Sequence, residues 1–164
     1  MSRLSKDYWI DKLGLLPHPE GGFYKETYRS SVIVESDQFK STKRASTGIY
    51  FLLTSDNFSA FHRIKSDEMW HFYYGDPIQI HIISPEGEYS TIFLGSGDSE
   101  QFNFQAVVDM KCWFATEVLH PGQYALVGCT VAPGFEFNDF EMAHREKLMK
   151  QFSHHSELIR KFTR

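Results

Sequence analysis

The sequence predicts an all-β domain, an antiparallel sandwich or barrel with one short helix ahead of it and one or two behind. Three observations carry this. From Phe23 to Val131 the apolar residues recur at period two in short segments. The separators are turn-formers: Ser55-Asp56-Asn57, Lys65-Ser66-Asp67, Gly75-Asp76-Pro77, Pro85-Glu86-Gly87, Gly95-Ser96-Gly97-Asp98 and His120-Pro121-Gly122. Aromatic residues make up 16% of the chain, mostly between Phe23 and Phe140, and such side chains suit a pleated, half-buried surface.

In chain order, Ser5 is placed to cap a helix from Lys6 to Leu13, with Trp9 and Leu13 on one face and Gly14 at its end. Pro17-His18-Pro19-Glu20-Gly21-Gly22 is turn chemistry. Strands are expected at Phe23 to Arg29, Thr47 to Thr54, Ser59 to Ile64, Met69 to Tyr74, Ile78 to Ser84, Tyr89 to Leu94, Phe102 to Val108, Cys112 to Glu117 and Tyr124 to Val131. No helix-length pattern intervenes, which argues against an α/β fold. Val32 to Lys43, rich in Ser, Asp, Gln and Lys, reads as an exposed loop. Asn138 and Glu141 form a capping-box pattern for a helix ending near Gln151, its buried stripe marked by Phe140, Ala143, Leu148 and Phe152. A second short helix is expected from Glu157 to Phe162, and His154-His155 between the two reads as a solvated turn.

With 164 residues and no linker or repeat, the chain reads as a single domain over 1–164. Seventeen basic residues stand against 21 acidic ones without a basic run, so no nucleic-acid footprint is visible. Charged residues interrupt the first twenty positions, giving no sign of a signal peptide or a membrane segment. Cys112 and Cys129 sit in apolar stretches without a C-x-x-C spacing, as expected of reduced, buried thiols in a cytoplasmic protein.

The densest run of reactive groups is Phe61 to Gly75. Read as strand, turn and strand, it brings His62 and Glu68 together across a hairpin, where an imidazole and a carboxylate can share a proton or a divalent metal. By parity Glu68, Trp70, Phe72 and Tyr74 point one way, and Met69, His71 and Tyr73 the other, unless a bulge intervenes. His62 and Glu68 therefore rank above His71. Trp70, Phe72, Tyr74 and Trp113 are the expected walls of a pocket. Glu136, in Pro133-Gly134-Phe135-Glu136-Phe137, is a candidate for its mouth or else part of a strand-exit corner. His81 has the opposite parity to Ile78, Ile80 and Ile82 and is open to either face. His18 fits a turn hydrogen bond or a ligand entrance, and Glu20 and Glu26 fit either a site or a dimer edge.

His62, Glu68 and Gly75 resemble the first signature of the cupin superfamily, G-x5-H-x-H-x3-4-E-x6-G. The likeness is closer to one uncharacterised branch, the cupin-5 domain-of-unknown-function group. It is carried by His18 to Tyr28, Ile49 to Leu53, Phe61-His62-Arg63, Ser66-Asp67-Glu68, Trp70 to Tyr73 and Val127 to Phe137. The resemblance implies a double-stranded β-helix, a jelly-roll barrel, usually paired as a homodimer. It also implies a distant likeness to sugar-nucleotide 3,5-epimerases. By that analogy His62 is a base and Tyr74 or Tyr73 the returning acid. The chain departs from metal-binding cupins: Ile64 takes the place of the second His, and Val108 to Phe114 lacks the Pro, Gly and His of the second signature. A divalent metal is therefore not the leading expectation, and would need His71 or His81 beside His62 and Glu68.

The functional expectation is a small polar, sugar-like or nucleotide-sugar ligand held in the barrel, with epimerase or isomerase chemistry at His62, Glu68 and Tyr74. Trp70, Phe72, Tyr73, His71, His81, Trp113 and Glu136 are the expected ligand-binding set. The alternative is a metabolite-binding barrel without catalysis, because this fold hosts both. A metal-dependent oxygenase or isomerase ranks third.

Overall fold

The computed structural model of the chain describes residues 4–35, 39, 41–96 and 100–164. Gly97 and Asp98 of one expected turn lie outside the described residues, as do residues 36–38 and 40 of the expected loop. The strands are β1 (Leu16–Pro17), β2 (Phe23–Arg29), β3 (Ile33–Val34), β4 (Lys43–Arg44), β5 (Thr47–Thr54), β6 (Ser59–Arg63), β7 (Asp67–Gly75), β8 (Ile78–Ile83), β9 (Tyr89–Leu94), β10 (Gln105–Val108), β11 (Trp113–Val118), β12 (Tyr124–Ala132) and β13 (Glu141–Met142). They form two antiparallel sheets, of order β1-β2-β5-β12-β7-β10 and β13-β6-β11-β8-β9, with β3 and β4 a separate two-stranded ribbon. This is the jelly-roll barrel expected, with three short helices: α1 (Lys6–Leu13), α2 (Arg145–Gln151) and α3 (Ser156–Lys161).

The two sheets close on one apolar interior. Phe51, Leu53, Trp70, Ile78, Ile80, Leu94, Phe114 and Val127 are buried there, with Phe72 packed against them. Each outer face is covered by a helical element. Against the six-stranded sheet, Trp9, Ile10 and Leu13 of α1 pack on Leu52, Tyr124 and Leu126. Against the five-stranded sheet, Leu148, Phe152, Ile159 and Phe162 pack on Phe61, Ile83, Trp113 and Ala115. Helix α1 begins and ends as the sequence predicts: the Ser5 side chain accepts from the Tyr8 amide, and Gly14 takes a left-handed conformation that caps the C-terminus.

Four expectations are corrected. First, β6 and β7 are not a hairpin: β6 pairs with β11 and β13, whereas β7 pairs with β10 and β12 in the opposite sheet. The Lys65-Ser66 connection is a crossing between sheets, a geometry that a short polar turn permits as readily as a hairpin. Second, the pairing of β7 with β12 shifts register between Leu126, opposite Tyr74, and Val127, opposite Phe72. Tyr73 is the extra residue, and a bulge of this kind reverses the parity of the residues beyond it. Glu68, Trp70 and Phe72 keep the inward face, but Tyr74 turns outward onto Trp9 and Tyr124. Third, the Asn138 and Glu141 pattern caps no long helix, because Glu141–Met142 pairs with β6 and α2 starts only at Arg145. Phe140 accordingly lines a cavity rather than a helix stripe. Fourth, the Val32 to Lys43 segment is not wholly exposed: it carries the β3–β4 pairing, and Phe39 and Lys43 are buried.

Candidate functional site

A cavity of about 280 Å³ opens between the two sheets at one end of the barrel. Its polar groups arrive from both sides. His18 and Glu20 come from the turn before β2, His62 from β6, Glu68 from β7 and Cys129 from β12. The walls are Tyr24, Ile49, Phe51, Ile64, Val131, Phe135, Phe137 and Phe140. His62 and Glu68 thus share one cavity as the sequence suggests, but they face it from opposite sheets.

The Glu20 carboxyl is held from two directions. Ser59 Oγ donates to its Oε1 at 2.9 Å, and its Oε2 lies 3.0 Å from His62 Nε2. His62 Nδ1 lies 2.7 Å from the Ala60 carbonyl oxygen, a partner that can only accept, so Nδ1 carries the ring proton and Nε2 offers its lone pair. The proton between Glu20 and His62 then sits on the carboxyl, which donates to the imidazole. Electrostatics agrees. Burial raises the Glu20 pKa well above the carboxylate range, with the neighbouring Glu68 adding to it, and burial lowers His62 to about 3. The pair is neutral. The His62 ring is further fixed by Phe114 at 4.1 Å and Phe140 at 5.3 Å between centroids.

His18 is neutral too. Its Nδ1 accepts from the Glu20 amide at 3.2 Å, which places the proton on Nε2. Burial lowers its pKa to about 4. Its ring is packed edge-on against Tyr24 and stacked with Phe137, so its orientation is set before any ligand arrives. Glu68 behaves differently. Burial raises its pKa to about 7, partly opposed by the Cys129 thiol, which donates to the carboxylate. It is the cavity group poised to change charge near neutrality.

At the mouth Arg29 joins two segments. Its Nε and one terminal nitrogen bind both oxygens of Glu26, at 2.9 and 2.7 Å, and the other terminal nitrogen binds Glu136 at 2.7 Å. It also donates to the Phe135 carbonyl. Its charge is therefore matched by two carboxylates, and the Phe135–Phe137 loop is tied to β2.

The other expected site residues lie elsewhere. Trp70 is fully buried in the core beneath the cavity, where it meets Phe51 and Phe114, and Phe72 packs on that core. His71 is on the outer face, within hydrogen-bond distance of Thr130 and Gln105. Tyr73 is exposed beside it. Tyr74 lines an outer groove with Trp9 and Leu13. His81 and Trp113 lie beneath the C-terminal helices: His81 contacts Tyr89, Glu117 and Phe162, and Trp113 packs in the apolar cluster there with Arg63 over its ring. Glu136 holds Arg29 at the rim. Beside His62 and Glu68 the cavity uses His18 and Glu20, which the sequence left open between a site and a turn or dimer edge, and Cys129, which it placed in the core; only the unusual run His18-Pro19-Glu20-Gly21-Gly22 marked the first two.

A divalent metal, as bound by many cupins, does not fit this donor set. The one free lone pair of His62 already accepts from Glu20, and Ile64 lines the wall where a second imidazole would be needed. Among the described residues no three His, Cys, Asp or Glu side chains are grouped to hold a metal ion. No helix among the described residues is long and apolar enough to cross a membrane.

Residues 7–143 match the family described as Cupin superfamily (DUF985). A solved protein from Shewanella oneidensis is 36% identical with a TM-score of 0.89, covering 100% of this chain and 99% of that one. A hypothetical protein from Leishmania major is 33% identical with a TM-score of 0.91, over 98% of this chain and 99% of that one. An uncharacterised protein of Saccharomyces cerevisiae is 28% identical over 154 residues, 86% of this chain and 76% of that protein. Oxalate decarboxylase from Bacillus subtilis shares the fold alone, at 16% identity and a TM-score of 0.56, over 89% of this chain and 36% of that one.

Proposed function

We propose, from the premise that this chain belongs to the DUF985 family of the cupin superfamily, that its barrel cavity moves a proton on a small uncharged polar molecule, as an isomerase or epimerase does. The observation that carries this is that one cavity holds both Glu68, buried with a pKa of about 7, and a neutral His18 imidazole whose Nε2–H has no acceptor among the described residues. One group takes a proton and the other offers a hydrogen bond.

In this reading a substrate carbonyl oxygen accepts from His18 Nε2–H while the Glu68 carboxylate removes the proton from the adjacent carbon. The C–H electron pair moves into the C=C bond of an enol or enolate, and the developing oxyanion is held by the imidazole. Return of the proton from the Glu68 carboxyl to the former carbonyl carbon, while the hydroxyl proton of the neighbouring carbon moves to the former carbonyl oxygen, leaves the carbonyl on that neighbouring carbon and Glu68 ionised. His62 is not the base here, because both ring nitrogens are engaged. With Ser59 it holds Glu20 in place. The aromatic walls suit the face of a sugar-like ring. Arg29, the cation at the mouth, is already matched by Glu26 and Glu136, which favours a sugar-like moiety over one carrying a diphosphate.

The test is solvent exchange. Small hydroxy-ketones and reducing sugars are incubated with the protein in D₂O and followed by proton NMR. Loss of the α-proton signal, slowed in His18→Gln, is the expected result. A bound compound that is recovered without deuterium in both proteins makes the cavity a binding site without catalysis and overturns the reading.

A further inference from the structure

A second cleft, of about 620 Å³, lies beside the first but shares only Ile64 with it among their lining residues. Among the described residues its charged lining consists of Lys43, Arg63, Lys65, Lys111, Asp139 and Glu141, four cations against two carboxylates. The carboxylates are already engaged. Asp139 is paired with the buried Lys43, and its Oδ1 is 3.1 Å from Lys65 Nζ. Glu141 accepts from Arg63 Nε at 2.7 Å, and no hydrogen bond from the two terminal nitrogens of that guanidinium is found among the described residues. Lys111 has no ion pair among the described residues. Two positive charges are therefore left over.

The position of Lys111 is built rather than casual. Its backbone has φ of 66°, the left-handed region where glycine is the usual occupant. The turn that carries it is tied down on both sides: the Lys111 amide donates to the Ile64 carbonyl at 2.9 Å, and the Met110 amide donates to Asp67 Oδ1 at 2.8 Å. A strained conformation kept at a lysine, and aimed into a cleft, points to a use for the ammonium group.

We infer that this cleft binds a phosphate group, free or carried by a small molecule. A compact dianion matches the two surplus charges. A guanidinium with two open nitrogens and two flexible ammonium groups are suited to its oxygens. A polyanion suits the protein less well, since the chain as a whole carries a net charge of -4.

The experiment is isothermal titration with inorganic phosphate and, separately, with glycerol 3-phosphate, on the wild-type protein, on Lys65→Ala/Lys111→Ala and on Lys111→Gly. Saturable binding at millimolar or lower concentration, weakened about tenfold or more in both variants, is the expected result. Lys111→Gly relieves the backbone, so it should melt no lower than wild type, and its loss of binding is then not a loss of fold. Tighter binding of the ester identifies a phosphorylated small molecule as the natural ligand; equal binding identifies phosphate itself. No saturable heat with either probe, or an affinity unchanged in the variants, overturns the inference.

Discussion

Glu68→Gln is expected to lower proton exchange on a cavity ligand by about 10²- to 10⁴-fold, the usual contribution of a positioned acid or base, while making the protein more stable in alkaline solution. Both effects come from the same buried carboxyl. Glu68 has a pKa of about 7 in place of 4.5, because burial disfavours its charged form. Folding therefore holds a proton that the unfolded chain releases. Stability falls as pH rises from the ordinary carboxylate value through about 7, by about 3 kcal/mol in all for this group. Glu20, raised in the same direction, adds to the loss. The histidines act oppositely. His62 and His18 stay neutral in the fold down to about 3 and about 4, so the stability they favour is complete above the ordinary histidine value of 6.5 and is lost as pH falls below it. Between about 4.5 and 6.5 the two slopes oppose each other, and stability should be flat there and decline on either side. In Glu68→Gln the slope between about pH 5 and 7 should change by one proton, so that stability rises with pH where the wild type is flat, as measured by urea unfolding across pH 5 to 9. An unchanged slope would mean that Glu68 is not buried as a protonated acid. Activity in the wild type should rise with pH through about 7, since the carboxylate is the acting form.

The second large effect is expected from a single methyl group. Gly21→Ala places a Cβ 2.1 Å from the Phe58 carbonyl oxygen, at a φ of 115° that non-glycine residues rarely adopt. Neither the strand segment nor the turn can retreat: the Glu20 carbonyl accepts from the Ala60 amide and from Arg164. The cost should be about 3 kcal/mol or more, and any protein that folds should have Glu20 and His18 displaced from the cavity. Gly122→Ala is the control. Its φ is 75°, but nothing lies within 4 Å of the added carbon, so only the backbone term of about 1 kcal/mol remains. Equal melting temperatures for the two variants would show that the Gly21 turn is not the tight anchor described.

The strand pattern was legible because one face of each strand is buried, and burial writes itself as alternation. Phe23–Arg29, Thr47–Thr54 and Tyr89–Leu94 coincide with the expected bounds. Pairing partners were less legible. The Lys65-Ser66-Asp67 turn looks the same whether the chain doubles back or crosses to the other sheet, and it crosses. A bulge has no composition of its own, so Tyr73 and the reversal of Tyr74 were hidden. Within the site, His62 and Glu68 stood out as charged or titratable groups inside apolar strands. Glu20 and His18 did not, because a turn residue carries no parity and its direction depends on the positive-φ glycines next in the chain, Gly21 and Gly22.

On this reading the cavity at neutral pH holds one protonated carboxyl, Glu20, and one that titrates, Glu68. Carbon-13 NMR of glutamate side-chain carboxyls, assigned with Glu20→Gln and Glu68→Gln and followed from pH 4 to 9, measures this directly. The expected result is a Glu68 signal that moves with a midpoint near 7 and a Glu20 signal that is still protonated there. Two carboxyls that titrate together in the ordinary range near 4.5 would contradict it.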